Sequence, residues 1–283
     1  MHLASSESIQ DLELRAKELR ARIIETSHKA RIPHLGSCLS CVDILTALYF
    51  SVLNIDVKNP TDADRDRFIL SKGHGAPALF QVLAMRGYYP ERMLENYGED
   101  GGVFAEHPPA PGYLPGIEAA TGSLGHGLPI ALGMALAARM HKKKYNVYAV
   151  LSDGECNEGS IWESAMLAAA QKVDNLCVFV DFNKWQATGR SQEVMALDPL
   201  VDKWKAFGWN ACEVDGHDMD QLVTTIRDFP KTSKQPTVIV AHTVKGKGAS
   251  FMEDDNNWHY RTPTADEVKQ ARVELGLDEV EAA

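Results

Sequence analysis

Two oxygen-bearing side chains, Asp153 and Asn183, each follow an apolar run that reads as a strand, in Leu151-Ser152-Asp153-Gly154 and in Val180-Asp181-Phe182-Asn183-Lys184. The carboxyl ends of strands line the ligand crevice of an open α/β sheet, so hard oxygen donors at two such ends point to a small cation that holds phosphate. One carboxylate and one neutral amide bring a single protein charge. An Mg²⁺ or Ca²⁺ ion there must complete its shell with water, a backbone carbonyl and ligand oxygens, as in a metal-bridged diphosphate. Taken singly, Asp153 reads more readily as a helix cap and Asn183 as a turn residue.

Histidines and glycines in turn-rich contexts accompany the pair. They occur in Pro33-His34-Leu35-Gly36-Ser37, in Asp66-Arg67-Phe68-Ile69-Leu70-Ser71-Lys72-Gly73-His74, and in Ala105-Glu106-His107-Pro108. Further pieces are Thr121-Gly122-Ser123-Leu124-Gly125-His126-Gly127, Lys245-Gly246-Lys247-Gly248 and Trp258-His259. Between Asp153 and Asn183 the chain runs Ser152-Asp153-Gly154-Glu155-Cys156-Asn157-Glu158-Gly159, then a helix through Trp162, Ala165, Met166 and Ala169, then Asn175 to Asn183. In this order, over nearly the whole chain, the pieces resemble the thiamine diphosphate enzymes of the transketolase family. Ser152 stands where that family has the first Gly of its Gly-Asp-Gly.

The resemblance implies thiamine diphosphate and a metal ion, Mg²⁺ or Ca²⁺, held by Asp153, Asn183 and the backbone carbonyl of Trp185. It places Gly122, Ser123 and Leu124 against the aminopyrimidine. Gly154, Glu158, Asn183, His74 and His259 complete the cofactor contacts, with Glu158 at a subunit boundary. Its catalytic histidines correspond to His34, His74, His107 and His259, ringing the reactive carbon and the ketose hydroxyls, while Asp181 and Lys247 are supporting residues. His126 is assigned no catalytic part. The cofactor's thiazolium carbon loses a proton, adds to a carbonyl and stores the resulting carbanion, so the protein must supply orientation, proton transfer and oxyanion donors. Physical chemistry agrees with parts of this. A helix beginning near Gly159 offers unpaired amides to phosphate, Gly154 permits close backbone approach, and histidine exchanges protons near neutral pH.

These residues need elements to position them. Ser8 and Asp11 form an N-cap pattern before Leu12, Ala16, Leu19 and Ile23 at helical spacing. Helices are also expected over Val42–Val52, His74–Arg86, Leu124–Met140, Ser160–Gln171, Met219–Phe229 and Thr264–Leu275. Strands are expected at Arg67–Ser71, Val147–Leu151, Leu176–Asp181, Trp209–Val214 and Thr237–Ala241. Helix Leu124–Met140 is apolar on almost every face, which implies burial in the core or at a subunit contact. The stretch Gly98–Ala120 is Gly- and Pro-rich without periodicity, and long irregular segments of this kind are usually functional or mobile. The expected fold is α/β, a mostly parallel sheet with helices on both faces, the thiamine diphosphate-binding fold, as a single domain over residues 1–283.

With 283 residues, 45% of them apolar, the chain can bury a sizeable core. A net charge of −10 argues against nucleic acid as a partner. The one dense basic run, His141-Lys142-Lys143-Lys144, reads as a solvated helix end. Five scattered cysteines, Cys38, Cys41, Cys156, Cys177 and Cys212, imply a reducing, cytoplasmic setting; Cys38 and Cys41 lack the second pair of a zinc site, and Cys156 beside the metal motif is a candidate accessible thiol. No apolar run reaches membrane-spanning length, and Met1–Gln10 lacks a signal-peptide pattern, so no membrane partner is expected.

Family transketolases are about twice as long, with a pyrimidine-binding and a C-terminal domain after this one. The chain is therefore expected to be the N-terminal subunit of a split transketolase, active only with a separate C-terminal subunit in an α2β2 heterotetramer. Such an enzyme moves a two-carbon ketol unit from a ketose phosphate to an aldose phosphate. Two alternatives stand beside it: a deoxyxylulose phosphate synthase relative or 2-oxoacid dehydrogenase α subunit, and a noncatalytic cofactor-binding scaffold.

Overall fold

A computed structural model describes residues 7–232 and 234–278; the reading of Met1–Gln10 falls partly outside them. Five parallel strands form one sheet in the order β1-β2-β3-β5-β4: β1 (Arg67–Leu70), β2 (Val147–Ser152), β3 (Leu176–Phe182), β4 (Asn210–Asp215) and β5 (Thr237–His242). Leu151 pairs with Val180 and Ser152 with Asp181, so the carboxyl ends of β2 and β3 lie side by side.

Both faces of the sheet are buried over β1, β2, β3 and β5, while the edge strand β4 buries only Val214, and the period-2 alternation of the strands sorts their side chains between two cores. Tyr148, Val150, Cys177, Phe179 and Ile239 join one core, against α1 (Ile9–Ala30), α2 (Leu35–Ser40), α3 (Val42–Ala47) and α4 (Ala76–Arg86). Val147, Ala149, Leu151, Val178 and Val180 join the other, against α5 (Gly127–Met140) and α6 (Gly159–Ala170). After β3 the short α7 (Ser191–Val194) precedes α8 (Leu200–Ala206), whose Trp204 enters the second core. Between β4 and β5, α9 (Met219–Thr232) sends Leu222, Ile226 and Phe229 into the first. The chain reverses direction across the sheet at β4, and the helix changes face between α8 and α9, as crossovers of one hand require. The α/β fold with helices on both faces is therefore as expected.

Two local signals act as read. Ser8 and Asp11 form a reciprocal capping box on α1, and Thr264 with Glu267 does the same for α10 (Ala265–Glu274). Other boundaries differ. The expected helix Val42–Val52 is α3 followed by a π-turn at Leu48–Val52. The helix expected from Leu124 begins at Gly127, because the segment before it forms a turn around Gly125 (φ +82°). That helix is buried along one side only, through Leu128, Ala131, Leu132, Ala135 and Ala138, whereas Met140 is 81% exposed. Residues 97–126 contain no helix or strand, as expected of the Gly- and Pro-rich stretch. No described helix is long and apolar enough to cross a membrane.

Candidate active site

Asp153 follows β2 and Asn183 follows β3, at 0% and 3% exposure. Asp153 Oδ1 accepts from the Gly154 N–H (2.8 Å), and Oδ2 accepts from the Lys184 N–H (2.9 Å) and the Ser191 hydroxyl (2.7 Å). Burial pushes its carboxyl up to about 6, against the pull of those hydrogen bonds. No cation pairs with it directly among the described residues. Asn183 Oδ1 accepts from the Trp185 N–H (3.0 Å), and its amide donates to Ser40 Oγ (3.4 Å). Both side chains keep lone pairs free, since a carboxylate carries about four and an amide oxygen two. A buried, under-compensated carboxylate beside an amide oxygen suits a hard divalent cation. No group of three or more His, Cys, Asp or Glu that could hold a metal occurs among the described residues, so carbonyl and ligand oxygens would have to complete its shell.

Beneath the pair lies a fully buried polar network. Lys72 Nζ contacts Asp181 Oδ2 at 2.5 Å and donates to the Ser37 carbonyl at 2.8 Å. Asp181 also accepts from Ser40 Oγ (2.6 Å) and from the Thr243 hydroxyl. Burial alone would discharge Lys72; the Asp181 carboxylate outweighs it and holds the ammonium charged. Asp181 thus lies in a buried network beneath the pair, and Lys72 is its unforeseen partner.

Three histidines converge. The rings of His34 and His259 lie 4.9 Å apart edge-on, with His74 at 5.5 Å from the first and 6.1 Å from the second. His34 adopts φ +66°, a costly conformation for a side-chain-bearing residue, and its N–H donates to the His259 carbonyl at 2.9 Å. Its Nδ1 is buried without a hydrogen-bond partner. Burial lowers the pKa of all three, and His259 falls to about 3 through burial and the neighbouring Lys245 ammonium. Lys245 Nζ lies 2.7 Å from Asn256 Oδ1 and 3.2 Å from His259 Nδ1. A protonated lysine only donates, so Nδ1 of His259 accepts and its Nε2 carries the proton. His107 makes no ring contact with this group but is near enough to help lower the pKa of His34 and His74, and it packs against the Gly122 loop: a Cβ on Gly122 would meet its ring at 2.7 Å.

The loop Gly122–Gly125 is held by Glu155, which sequence reasoning did not single out. This carboxylate is fully buried and accepts from the Gly125 N–H (2.9 Å), the Ser152 N–H (3.3 Å) and the Ser71 hydroxyl. Burial pushes its pKa up while these three donors pull it down, and the carboxyl group joins the ends of β1 and β2 to the glycine loop. Ser152, in place of the family glycine, turns its hydroxyl onto the Glu155 N–H (3.2 Å). A short helical turn, Gly154–Asn157, separates Asp153 from α6. The start of α6 therefore meets the Gly125 loop, through Ser160 Oγ on the Gly125 carbonyl (2.7 Å), rather than opening directly beside Asp153. Leu124 is half-buried and Ser123 exposed. Glu158, at the N-cap of α6, is exposed and caps nothing with its side chain.

At the rim, the Arg190 guanidinium lies 3.8 Å from the Trp185 ring centre and pairs through both nitrogens with Asp254 (2.6 and 2.7 Å). Trp185 Nε1 donates to Asp254 as well (2.8 Å). Lys247 lies outside the cluster, paired with Glu253 at 3.4 Å. Cys156 is not the accessible thiol expected: it packs at 2% exposure in the second core, and burial pushes its thiol well above the ordinary range. All five cysteines are free.

Known proteins resemble this chain in sequence and fold. The family described as transketolase, thiamine diphosphate binding domain, matches residues 13–282. The chain is similar to the first of the subunits of apulose-4-phosphate transketolase from Phocaeicola vulgatus, 41% identical over 267 residues that cover 94% of each chain. It is equally similar to the SqwG subunit of 6-deoxy-6-sulfo-D-fructose transketolase from Clostridium sp., 41% identical over 95% of this chain and 98% of that one. The crystal structure of transketolase from Campylobacter jejuni superposes with a TM-score of 0.90 at 29% identity, covering 96% of this chain and 44% of that one. The chain thus spans nearly the full length of the two subunits and less than half of the solved transketolase.

Proposed function

The chain belongs to the transketolase family, through its thiamine diphosphate-binding domain, and from that premise we propose that it is the diphosphate-binding subunit of a two-subunit transketolase. One observation carries the reading: the buried oxygens of Asp153 and Asn183 stand at adjacent strand ends, beside a histidine cluster whose His34 Nδ1 lacks a partner. In this proposal residues 1–283 act as one domain in the cytoplasm. Asp153, Asn183 and the Trp185 carbonyl hold Mg²⁺ or Ca²⁺, and Gly154, Asn183, His74 and His259 hold the diphosphate. Gly122, Ser123 and Leu124 meet the aminopyrimidine, and Glu158 faces the partner subunit. When bound, thiamine diphosphate supplies a carbanion equivalent for breaking and making the carbon–carbon bond.

The chain's own residues orient and handle protons. Neutral His259 offers Nε2–H as a donor while Lys245 fixes its other nitrogen. His34 and His74, also kept neutral by burial, can accept or donate at the substrate hydroxyls and carbonyl oxygen, with His107 on the glycine-loop side. A separate subunit carrying the pyrimidine-binding and C-terminal domains completes the site, in an α2β2 heterotetramer acting on ketose and aldose phosphates. The subunit names of the two relatives support a separate partner over a synthase or dehydrogenase reading. Supplying the reconstituted pair with xylulose 5-phosphate and ribose 5-phosphate, or with pyruvate and glyceraldehyde, separates these readings. Ketol transfer in the first mixture is expected; pyruvate consumption in the second would overturn the proposal.

A further inference from the structure

The amino ends of the strands carry a second cavity, at the opposite edge of the sheet from Asp153. It is an open depression of about 870 Å³ between the turn after α3, the start of β2 and α9, a volume within the roughly 300–1,000 Å³ range of small-molecule sites. Although the chain carries a net charge of −10, His141, Lys142, Lys143, Lys144 and Arg227 line this cavity. The carboxylates that also line it are already engaged. Asp66 accepts backbone N–H groups on both oxygens, from Asn146 (2.8 Å) and Asn54 (2.9 Å), and Asp64 pairs with Lys143 at 2.9 Å.

The remaining cations are not needed to finish the helix. The last carbonyls of α5 are capped by the backbone N–H groups of His141 (2.9 Å), Lys142 (3.1 Å) and Lys143 (2.8 Å). The side chains of Lys142 and Lys144 make no ion pair or hydrogen bond among the described residues, and Arg227 spends one nitrogen on Ser51 Oγ (2.6 Å). Two unengaged ammonium groups and a guanidinium with spare donors suit a dianionic oxyanion. Tyr145 and Val52 offer carbon surface beside them, and Asn146 and Asn54 offer amides. We propose that this cavity binds a small organic phosphate monoester, remote from the catalytic crevice. The site would let phosphate-ester concentration act on the subunit independently of catalysis.

The test uses the full chain, without divalent metal and without its partner, so its outcome does not depend on the catalytic reading. Backbone amide resonances are followed during titration with ribose 5-phosphate, adenosine 5′-monophosphate and inorganic phosphate, for the wild type and for Lys142→Ala/Lys144→Ala. Both replaced residues are exposed, so the fold should persist. The expected result is saturable shifts at Tyr145, Asn146 and Arg227 with at least one ester, weaker binding of inorganic phosphate, and an affinity lower by about tenfold in the variant, the scale of a charge-assisted hydrogen bond. Shifts confined to Asp153, Gly154 and Asn183, no shifts at all, or unchanged affinity in the variant would overturn the site. Equal affinity for inorganic phosphate would overturn its assignment to an ester.

Discussion

At His259, burial and the Lys245 ammonium hold the pKa near 3, against an ordinary value of 6.5. Between those pH values the unfolded chain binds a proton at this position that the folded chain refuses. Stability therefore rises with pH across the window and is level above it with respect to this group. Chemical denaturation of His259→Gln between pH 3 and 7 should show a shallower acid limb than the wild type; an unchanged slope would remove His259 as its source. Glu155→Gln places an amide nitrogen among donors that need an acceptor, and should cost about 1–3 kcal/mol in the same measurement. Asp153→Asn, by contrast, should weaken metal-dependent cofactor binding at least about tenfold, read by quenching of tryptophan fluorescence in the assembled enzyme. The strand-end positions of Asp153 and Asn183 were legible in the sequence from the apolar runs before them, and the histidines entered only through the family resemblance. Glu155, Lys72 and Lys245 were not legible, because their importance lies in partners 84, 109 and 14 positions away, which no local pattern encodes.

The elements that carry these residues meet at close quarters. A Cβ on Gly127 would collide with the side chain and Cα of Ser71, so the first turn of α5 rests directly on the loop that leads to His74. Gly127→Ala should destabilise by about 1–3 kcal/mol through overpacking, measured by thermal or denaturant unfolding. The Arg190–Asp254 pair is different: it is half-exposed, and exposed pairs contribute about 0–1 kcal/mol. Arg190→Ala should therefore leave the melting temperature nearly unchanged while freeing Trp185 and raising the metal concentration needed for half-maximal activity. Equal loss of both would show that the pair serves the fold. Strands and long helices could be read from periodicity. The short α2, α7 and α8 and the π-turn at Leu48–Val52 could not, because each is too short for a period to appear and is set by tertiary packing.

Across the whole molecule, the parallel sheet was legible from apolar runs alternating with helical segments, and its two buried faces explain why those runs carry few polar residues. The strand order was not, since the placement of β4 at the edge beyond β5 depends on non-local pairing. The same architecture gathers the candidate catalytic side chains at one rim of the sheet and leaves the glycine loop and the outer side of α5 facing outward. In the proposed assembly this chain supplies the diphosphate half of a composite site and needs a second subunit for turnover. The most direct test is the rate of ketol transfer from xylulose 5-phosphate to ribose 5-phosphate, with thiamine diphosphate and Mg²⁺ in excess, as purified partner subunit is titrated into the chain. A rate that is negligible without partner and saturates as the complex forms is the result expected. Full-rate transfer by the chain alone, or an assembled and cofactor-loaded complex that transfers nothing, would contradict it.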